Sequence, residues 1–113
     1  MRGNHQMGLV QLLSDTVRRH PDKEAIVQGE SRVSYGELWQ SIAGVAAWLR
    51  QIGLASGERV ALLMVNSPAY VSAYYGVLAA GGIVVPLNSA NRAEDIARTV
   101  LHSGARLLIV DKE

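Results

Sequence analysis

Three short apolar stretches, separated by segments of helix length, restrict the architecture of this chain more than any other feature. They begin near residues 59, 83 and 106 of the 113-residue sequence. The first, residues 59–65, is almost entirely apolar, which is typical of a parallel strand covered on both faces. The second, residues 83–85, has the same character and is also predicted to be buried on both faces. Strands that alternate with helices predict a β-α-β-α-β unit with right-handed crossovers, and therefore an α/β fold with a mainly parallel sheet.

Helix signals occupy the segments between the three predicted strands. Ser67 followed by Pro68 is typical of a helix cap and first helical residue, and predicts a helix that runs to about residue 80. A further helix is predicted over residues 91–103, ended by Gly104. The third strand is then predicted over residues 106–110, so the two crossovers flank the sheet with helices.

The residues before the first of these strands predict two helices and a hairpin. Ser34 and Glu37 have the spacing of a capping box, and behind them apolar residues recur at helical intervals: Leu38, Ile42, Val45, Leu49 and Ile52. A short hairpin is predicted from strands at residues 25–28 and 32–34, and an earlier helix contains Leu9, Leu12, Leu13 and Val17. Residues 1–8 are expected to be a flexible N-terminal segment that an expression vector contributed in part, and residues 9–113 are expected to form one unit.

Composition excludes several classes of function. The net charge is +1, from 11 Lys and Arg against 10 Asp and Glu, and no basic cluster is present, so we expect no nucleic-acid partner. The absence of cysteine excludes disulfides and thiol nucleophiles and agrees with a reducing compartment. No apolar run is long enough to cross a membrane, and we expect a cytoplasmic protein. The histidines, His5, His20 and His102, stand far apart, which favours surface or capping roles over a metal site.

The glycine pair in the stretch VLAAGGIVVPLN, residues 77–88, raises the alternative of a phosphate-binding loop. Such a loop needs a following Lys and Ser or Thr, and its glycines open a helix. Here Gly81 and Gly82 follow a predicted helix and precede a strand, so we interpret them as a joint. Ligands of open α/β sheets gather at the carboxyl ends of the strands, and Asn, Ser and Asp residues stand there: Asn66, Ser67, Asn88, Ser89 and Asp111. Capping and turn formation are the favoured roles of these residues.

Two stretches resemble motifs of a known family. VSYGEL at residues 33–38 and LAAGGIVVPLN at residues 78–88 are similar to the first two motifs of the adenylate-forming (AMP-binding) superfamily, and the likeness to acyl-CoA synthetases and fatty-acid–CoA ligases extends over residues 9–113. The resemblance implies the N-terminal portion of a larger adenylation domain. It also implies a parent enzyme that uses ATP and Mg²⁺ to convert a carboxylic acid into an acyl-adenylate and then passes the acyl group to coenzyme A.

The resemblance assigns no catalytic residue and no metal ligand to this chain. In the family, the phosphate loop, the acidic residue at the ribose and the catalytic lysine all lie beyond the second motif. We therefore expect the 113-residue chain to hold no cofactor of its own and to be inactive alone. Some CoA ligases of the family carry a basic residue shortly after the second motif, which makes Arg92 a candidate contact for coenzyme A.

Two other functions fit the same elements. A small Rossmann-like binding module would use the β-α-β order, although Val65, Asn66, Ser67 and Pro68 are a poor nucleotide loop. A non-catalytic interaction domain would instead associate with itself or with a partner through a bare sheet edge and apolar faces.

Overall fold

A computed structural model describes residues 2–111, with side chains from Gly8 onward. Four helices and five strands follow one another along the chain: α1 (Arg2–Arg19), β1 (Glu24–Gln28), β2 (Ser31–Ser34), α2 (Tyr35–Gln51), β3 (Arg59–Leu63), α3 (Pro68–Ala79), β4 (Ile83–Pro86), α4 (Ala93–Ser103) and β5 (Leu107–Val110). Strands β1 and β2 form an antiparallel hairpin, and the other three form a parallel sheet in the order β4-β3-β5. The predicted α/β class, with a parallel β-α-β-α-β unit and an N-terminal hairpin, is confirmed. No helix in this part of the chain is long and apolar enough to cross a membrane.

Strand β3 is the centre of the sheet, with Val60 in register with Val84 of β4 and with Leu107 of β5. Right-handed crossovers from β3 outward to β4, and from β4 back across β3 to β5, place their helices on opposite faces. The burial pattern agrees, because alternate residues of the strands contact different helices. Val60 and Leu62 belong to the core that contains residues of α2 and α3, whereas Leu63 lies beside residues of α4.

Helix α2 begins with the predicted capping box. The Ser34 hydroxyl accepts a hydrogen bond from the Glu37 amide at 3.1 Å, and the Glu37 carboxylate accepts one from the Ser34 amide at 2.9 Å. Of the predicted apolar face, Leu38, Ile42 and Leu49 are buried, together with an alanine at residue 46. Ile52 is exposed, contrary to our expectation, because it is the C-cap and lies past the last turn that faces the core.

Three other boundaries and burial predictions differ from the structure. Helix α1 begins at Arg2, whereas the apolar periodicity predicts a helix beginning near residue 9; flexibility of residues 1–8 stays a prediction. Strand β3 ends at Leu63, two residues before the end of the apolar run. Residues 83–85 are half-buried, so the prediction of a strand covered on both faces is wrong for β4. Within residues 2–111, β4 lies at an edge of the sheet, and an edge strand has a neighbour on one side only.

Candidate functional site

A cleft of about 480 Å³ opens at the carboxyl edge of the parallel sheet, between β3 and β4. After β3 the chain turns to one face of the sheet to form α3, and after β4 it turns to the other face to form α4. A crevice remains between the two turns, and open α/β sheets bind ligands in such crevices. The lining residues come from the last residue of β4, from the segments that follow the two strands and from the first turn of α3: Met64, Val65, Asn66, Tyr70, Pro86, Leu87, Asn88 and Ser89.

The polar groups predicted at this edge make local structural contacts. The Ser67 hydroxyl accepts a hydrogen bond from the Tyr70 amide and donates one to the Val65 carbonyl, both at 3.1 Å. The Asn88 side-chain oxygen accepts a hydrogen bond from the Ala90 amide at 2.9 Å, which forms an Asx turn. The Asp111 carboxylate accepts one from the Val65 amide, also at 2.9 Å. These contacts support the capping and turn roles favoured from the sequence.

The glycine pair lies at the opposite edge of the sheet from the cleft. Gly81 has φ +90°, which favours glycine, and its amide donates a hydrogen bond to the Leu78 carbonyl at 3.0 Å, closing α3. The Gly82 amide donates to the Val77 carbonyl at 2.9 Å. A Cβ atom at Gly82 would lie 3.2 Å from the Glu58 carbonyl oxygen, so the backbone approaches closely here. The interpretation of this pair as a joint between helix and strand is confirmed.

The candidate coenzyme A residue lies apart from the cleft lining. Arg92 is the exposed N-cap of α4, with φ −67° and ψ 149°, and its side chain makes no capping hydrogen bond. Helix α4 begins at Ala93, two residues after the predicted start, because the turn formed by Asn88 occupies the preceding residues. A contact between Arg92 and coenzyme A stays a prediction.

The histidines and carboxylates do not form a metal centre in the described part of the chain. His20 and His102 are exposed, and the side chain of His5 lies outside the described residues. Among the side chains that the structure describes, from Gly8 to Asp111, no group of three or more His, Asp or Glu is arranged to hold a metal ion.

One ion pair connects the loop after α2 with the start of β5. Arg106 donates hydrogen bonds to the Glu58 carboxylate at 2.8 Å and to the Gly53 carbonyl at 2.5 Å. The same carboxylate accepts a hydrogen bond from the Ala55 amide at 2.6 Å. The Ala55 amide, and then the Arg106 guanidinium, hold the pKa of Glu58 below its ordinary value of 4.5.

Glu58→Gln is expected to reduce stability in a pH-dependent way. A carboxyl whose pKa is lowered by folding stabilises the folded state above its unfolded pKa and loses that contribution as the pH falls through its folded pKa. The difference in thermal midpoint between the wild type and Glu58→Gln should therefore be largest above the ordinary value of 4.5 and should shrink in more acidic buffers. Thermal unfolding by circular dichroism across this range measures it.

Glu30→Gln controls for the loss of one negative charge, since Glu30 is an exposed residue at the tip of the hairpin. A midpoint difference for Glu58→Gln that is the same in acidic and neutral buffer would contradict the stabilising role of the carboxylate.

Comparison with protein-family models identifies the family. The model described as "AMP-binding enzyme" matches residues 13–113, which include both motifs and the cleft. The chain belongs to the AMP-binding enzyme family. The predicted resemblance is therefore confirmed.

Curated relatives of this AMP-binding chain include CoA ligases. It is 41% identical over 80 residues to the long-chain-fatty-acid–CoA ligase of Bacillus subtilis (strain 168), covering 71% of this chain and 14% of the ligase. It is 37% identical over 92 residues to the 3-hydroxybenzoate–CoA ligase of Aromatoleum sp. (strain CIB), covering 81% of this chain and 18% of that enzyme. The chain thus spans less than a fifth of the length of these relatives.

Solved structures show the same fold in the N-terminal parts of adenylation domains. The N-terminal subdomain of Klebsiella oxytoca NpsA matches with a TM-score of 0.83 and 28% identity, covering 91% of this chain and 27% of that one. The nonribosomal peptide synthetase FmoA3 matches with a TM-score of 0.88 and 31% identity, covering 92% of this chain and 11% of that one. The predicted fold, the N-terminal part of a larger adenylation domain, is confirmed.

Within this AMP-binding fold, sequence reasoning missed two contributors to the cleft edge. Tyr70 lines the cleft because it lies three residues after the cap Ser67, and helix geometry turns it toward the strand ends. The side-chain amide of Gln28 in β1 donates a hydrogen bond to the Asn66 carbonyl at 2.9 Å, which ties the hairpin to the cleft rim. The spacing from Ser67 was available as a signal for Tyr70, but no local pattern pairs Gln28 with a residue 38 positions away.

Proposed function

We propose that this chain is the N-terminal structural portion of an ATP-dependent carboxylic acid:CoA ligase and that it does not form an acyl-adenylate alone. In the proposed reaction of the whole enzyme, the acid attacks ATP to give an acyl-adenylate and pyrophosphate, and the thiol of coenzyme A then displaces AMP. The observation that carries the proposal is the family match over residues 13–113, together with CoA ligases among the curated relatives.

The composition of the cleft supports the second half of the proposal. Its lining supplies amide, hydroxyl, phenol and thioether groups, and the described residues around it contribute no lysine, arginine or carboxylate to the lining. Phosphoryl and adenylyl transfer requires fixed cations and donors at the phosphates, and Mg²⁺ prefers carboxylate oxygens. The residues present do not fit Mg²⁺-ATP, so we assign no step of the ATP chemistry to this chain.

The proposed role of the chain is to hold the carboxyl edge of the sheet in a fixed shape. Three sets of hydrogen bonds fix the ends of the three strands relative to one another. They are the helix cap at Ser67, the Asx turn at Asn88 and the hydrogen bond that the Asp111 carboxylate accepts from the Val65 amide. An edge fixed in this way is suited to support catalytic residues that other parts of the enzyme supply. We further propose a cytoplasmic enzyme, which agrees with the absence of cysteine.

A second candidate function differs from this proposal in the molecule that accepts the acyl group. The curated CoA ligases favour coenzyme A as the acceptor, with a carboxylic acid and coenzyme A as the partners of the whole enzyme. The solved NRPS structure favours an adenylation domain of a synthetase instead. We favour the CoA ligase because the sequence identity is higher there, at 41% against 31%.

A chimera tests the proposal. The aligned segment of the Bacillus subtilis long-chain-fatty-acid–CoA ligase is replaced by the corresponding residues of this chain, and acyl-CoA formation is measured with a long-chain fatty acid. We expect the chimera to retain activity within about tenfold, a change of about 1.4 kcal/mol in activation free energy, because the exchanged segment supplies support and no reacting group. The isolated 113-residue chain is assayed in parallel by ATP–pyrophosphate exchange and should show none.

The controls are the unmodified ligase and a chimera checked for folding by circular dichroism. A folded chimera without activity would show that this chain does not support a CoA ligase. Pyrophosphate exchange by the isolated chain would overturn the proposal that it is inactive alone.

A further inference from the structure

The stretch from Val65 to Ser67, between β3 and α3, is held by three side-chain hydrogen bonds; we call it the rim segment. The Val65 amide donates a hydrogen bond to the Asp111 carboxylate at 2.9 Å, and the Val65 carbonyl accepts one from the Ser67 hydroxyl at 3.1 Å. The Asn66 carbonyl accepts a hydrogen bond from the Gln28 side-chain amide at 2.9 Å. Gln28 and Asp111 are 38 and 46 positions away from the residues that they bind. Contacts across the fold therefore set the position of the rim segment.

Gln28 is the last residue of β1, and the hairpin that carries it is anchored at its base. The Tyr35 amide donates a hydrogen bond to the Lys23 carbonyl at 2.9 Å, and the Gly36 amide donates one to the Pro21 carbonyl at 2.8 Å. A Cβ atom at Gly36 would lie 3.2 Å from the Pro21 carbonyl oxygen, so the start of α2 lies directly against this base. Because α2 also packs against α3, Gln28 connects the rim segment to a fixed part of the fold.

The rim segment determines the position of residues that line the cleft. Asn66 belongs to the segment, and Tyr70 follows the cap Ser67, whose hydroxyl accepts a hydrogen bond from the Tyr70 amide at 3.1 Å. Tyr70 also packs against the core cluster, which holds α3 in place. A displacement of the Asn66 carbonyl would therefore change the shape of the cleft while the core stays intact. These contacts join residues within the described chain and do not depend on what covers its surface.

We propose that Gln28 is a positioning residue of the acid:CoA ligase proposed above, on which this inference rests. Gln28 acts through Asn66 and keeps the cleft in the shape that binds an uncharged part of a substrate. The lining offers amide, hydroxyl, phenol and apolar groups, which suit an acyl chain or an amide-bearing arm. The carboxylic acid and coenzyme A can each supply such a group, whereas the phosphates of ATP require fixed cations and donors.

The experiment measures substrate kinetics in the chimeric ligase that carries this chain. Gln28→Met removes the N–H donor and keeps the side-chain length. It should raise the KM for the acid or for coenzyme A by about fivefold or more, because the loosened rim segment must be ordered again when the substrate binds. The KM for ATP and kcat should change by less than about twofold, since Gln28 touches no reacting group. Gln28→Lys, which keeps an N–H donor, should restore the KM to within about twofold of the parent chimera.

Gln40→Met is the matched control, since Gln40 is an exposed residue of α2, and its kinetics should equal those of the parent chimera. Amide hydrogen exchange of the 113-residue chain measures the same contact without any activity. In Gln28→Met the Val65 and Tyr70 amides should exchange faster, while the Val60 amide in the central strand should keep its rate.

A lower kcat with every KM unchanged would show that Gln28 only stabilises the fold, and would overturn its positioning role. A changed KM for ATP alone, no recovery in Gln28→Lys, an equal effect of Gln40→Met, or unchanged exchange of the Val65 and Tyr70 amides would overturn it as well. In an active parent chimera, these results contradict the positioning role alone. A folded parent chimera without activity would contradict the proposed ligase function and this inference with it.

Discussion

Leu62→Ala is expected to lower the free energy of unfolding by about 2–5 kcal/mol, the range for removing a buried leucine side chain. Leu62 lies in the central strand, has no exposed surface and belongs to the same buried cluster as Leu49 and Val77. Its neighbours belong to the two adjacent strands and to α2 and α3, and the packing of these elements keeps them in place. They therefore cannot move far enough to fill the cavity that alanine leaves. Because a domain of this kind is stable by only about 5–15 kcal/mol, the loss is a large part of the total.

Urea unfolding, followed by the fluorescence of Trp39 and Trp48, measures this loss. Leu12→Ala is the matched control, since it makes the same substitution at an exposed position of α1 and should change stability by no more than about 0.5 kcal/mol. Equal losses for the two variants would show that Leu62 is not part of the stabilising core.

Gly76→Ala is expected to lower the free energy of unfolding by about 2 kcal/mol, despite the higher helix propensity of alanine. Gly76 lies where α3 packs on α2, and a Cβ atom there would lie 2.4 Å from Cγ1 and 2.6 Å from Cβ of Val45. Rotation of the Val45 side chain relieves the first contact but not the second, because Cβ is fixed to the backbone. The two helices must therefore move apart, which weakens the packing of residues along both.

Gly44→Ala is the matched control in α2, where a Cβ atom would meet no atom within 4 Å beyond its chain neighbours and the backbone of its own helix. That variant should gain about 0.5–1 kcal/mol, since it has only the entropic advantage of alanine over glycine within a helix. Chemical denaturation of both variants gives the two free energies. A gain of stability in both would show that the contact between α2 and α3 does not require glycine.

The features recovered from the sequence depend on residues close together in the chain. The capping box at Ser34 and Glu37, the cap at Ser67 and the helix ends at Gly81 and Gly104 were all predicted, and the structure contains them. Each requires hydrogen bonds or backbone angles within a few residues, so the local sequence is sufficient. The carboxyl edge of the sheet was likewise predicted as the place where polar residues gather, because the alternation of strands and helices implies it.

The burial of individual elements was harder to predict, because it depends on neighbours that are distant in the sequence. An apolar run predicts a covered strand, yet residues 83–85 are half-buried since β4 lies at the edge of the described sheet. Ile52 is a second example. It continues the helical period of α2, but it lies past the end of the helix and is exposed.

The amino-acid sequence alone determined the α/β class, the order of the elements, their caps and membership of the AMP-binding family, because these follow from periodicity and from contiguous motifs. The tertiary structure decided which side chains meet. The bonds from Gln28 to Asn66, from Asp111 to Val65 and from Arg106 to Glu58 join residues 38, 46 and 48 positions apart. Such contacts arise when strands and helices pack together, and no local pattern specifies their partners. The cleft therefore became visible only in the folded chain.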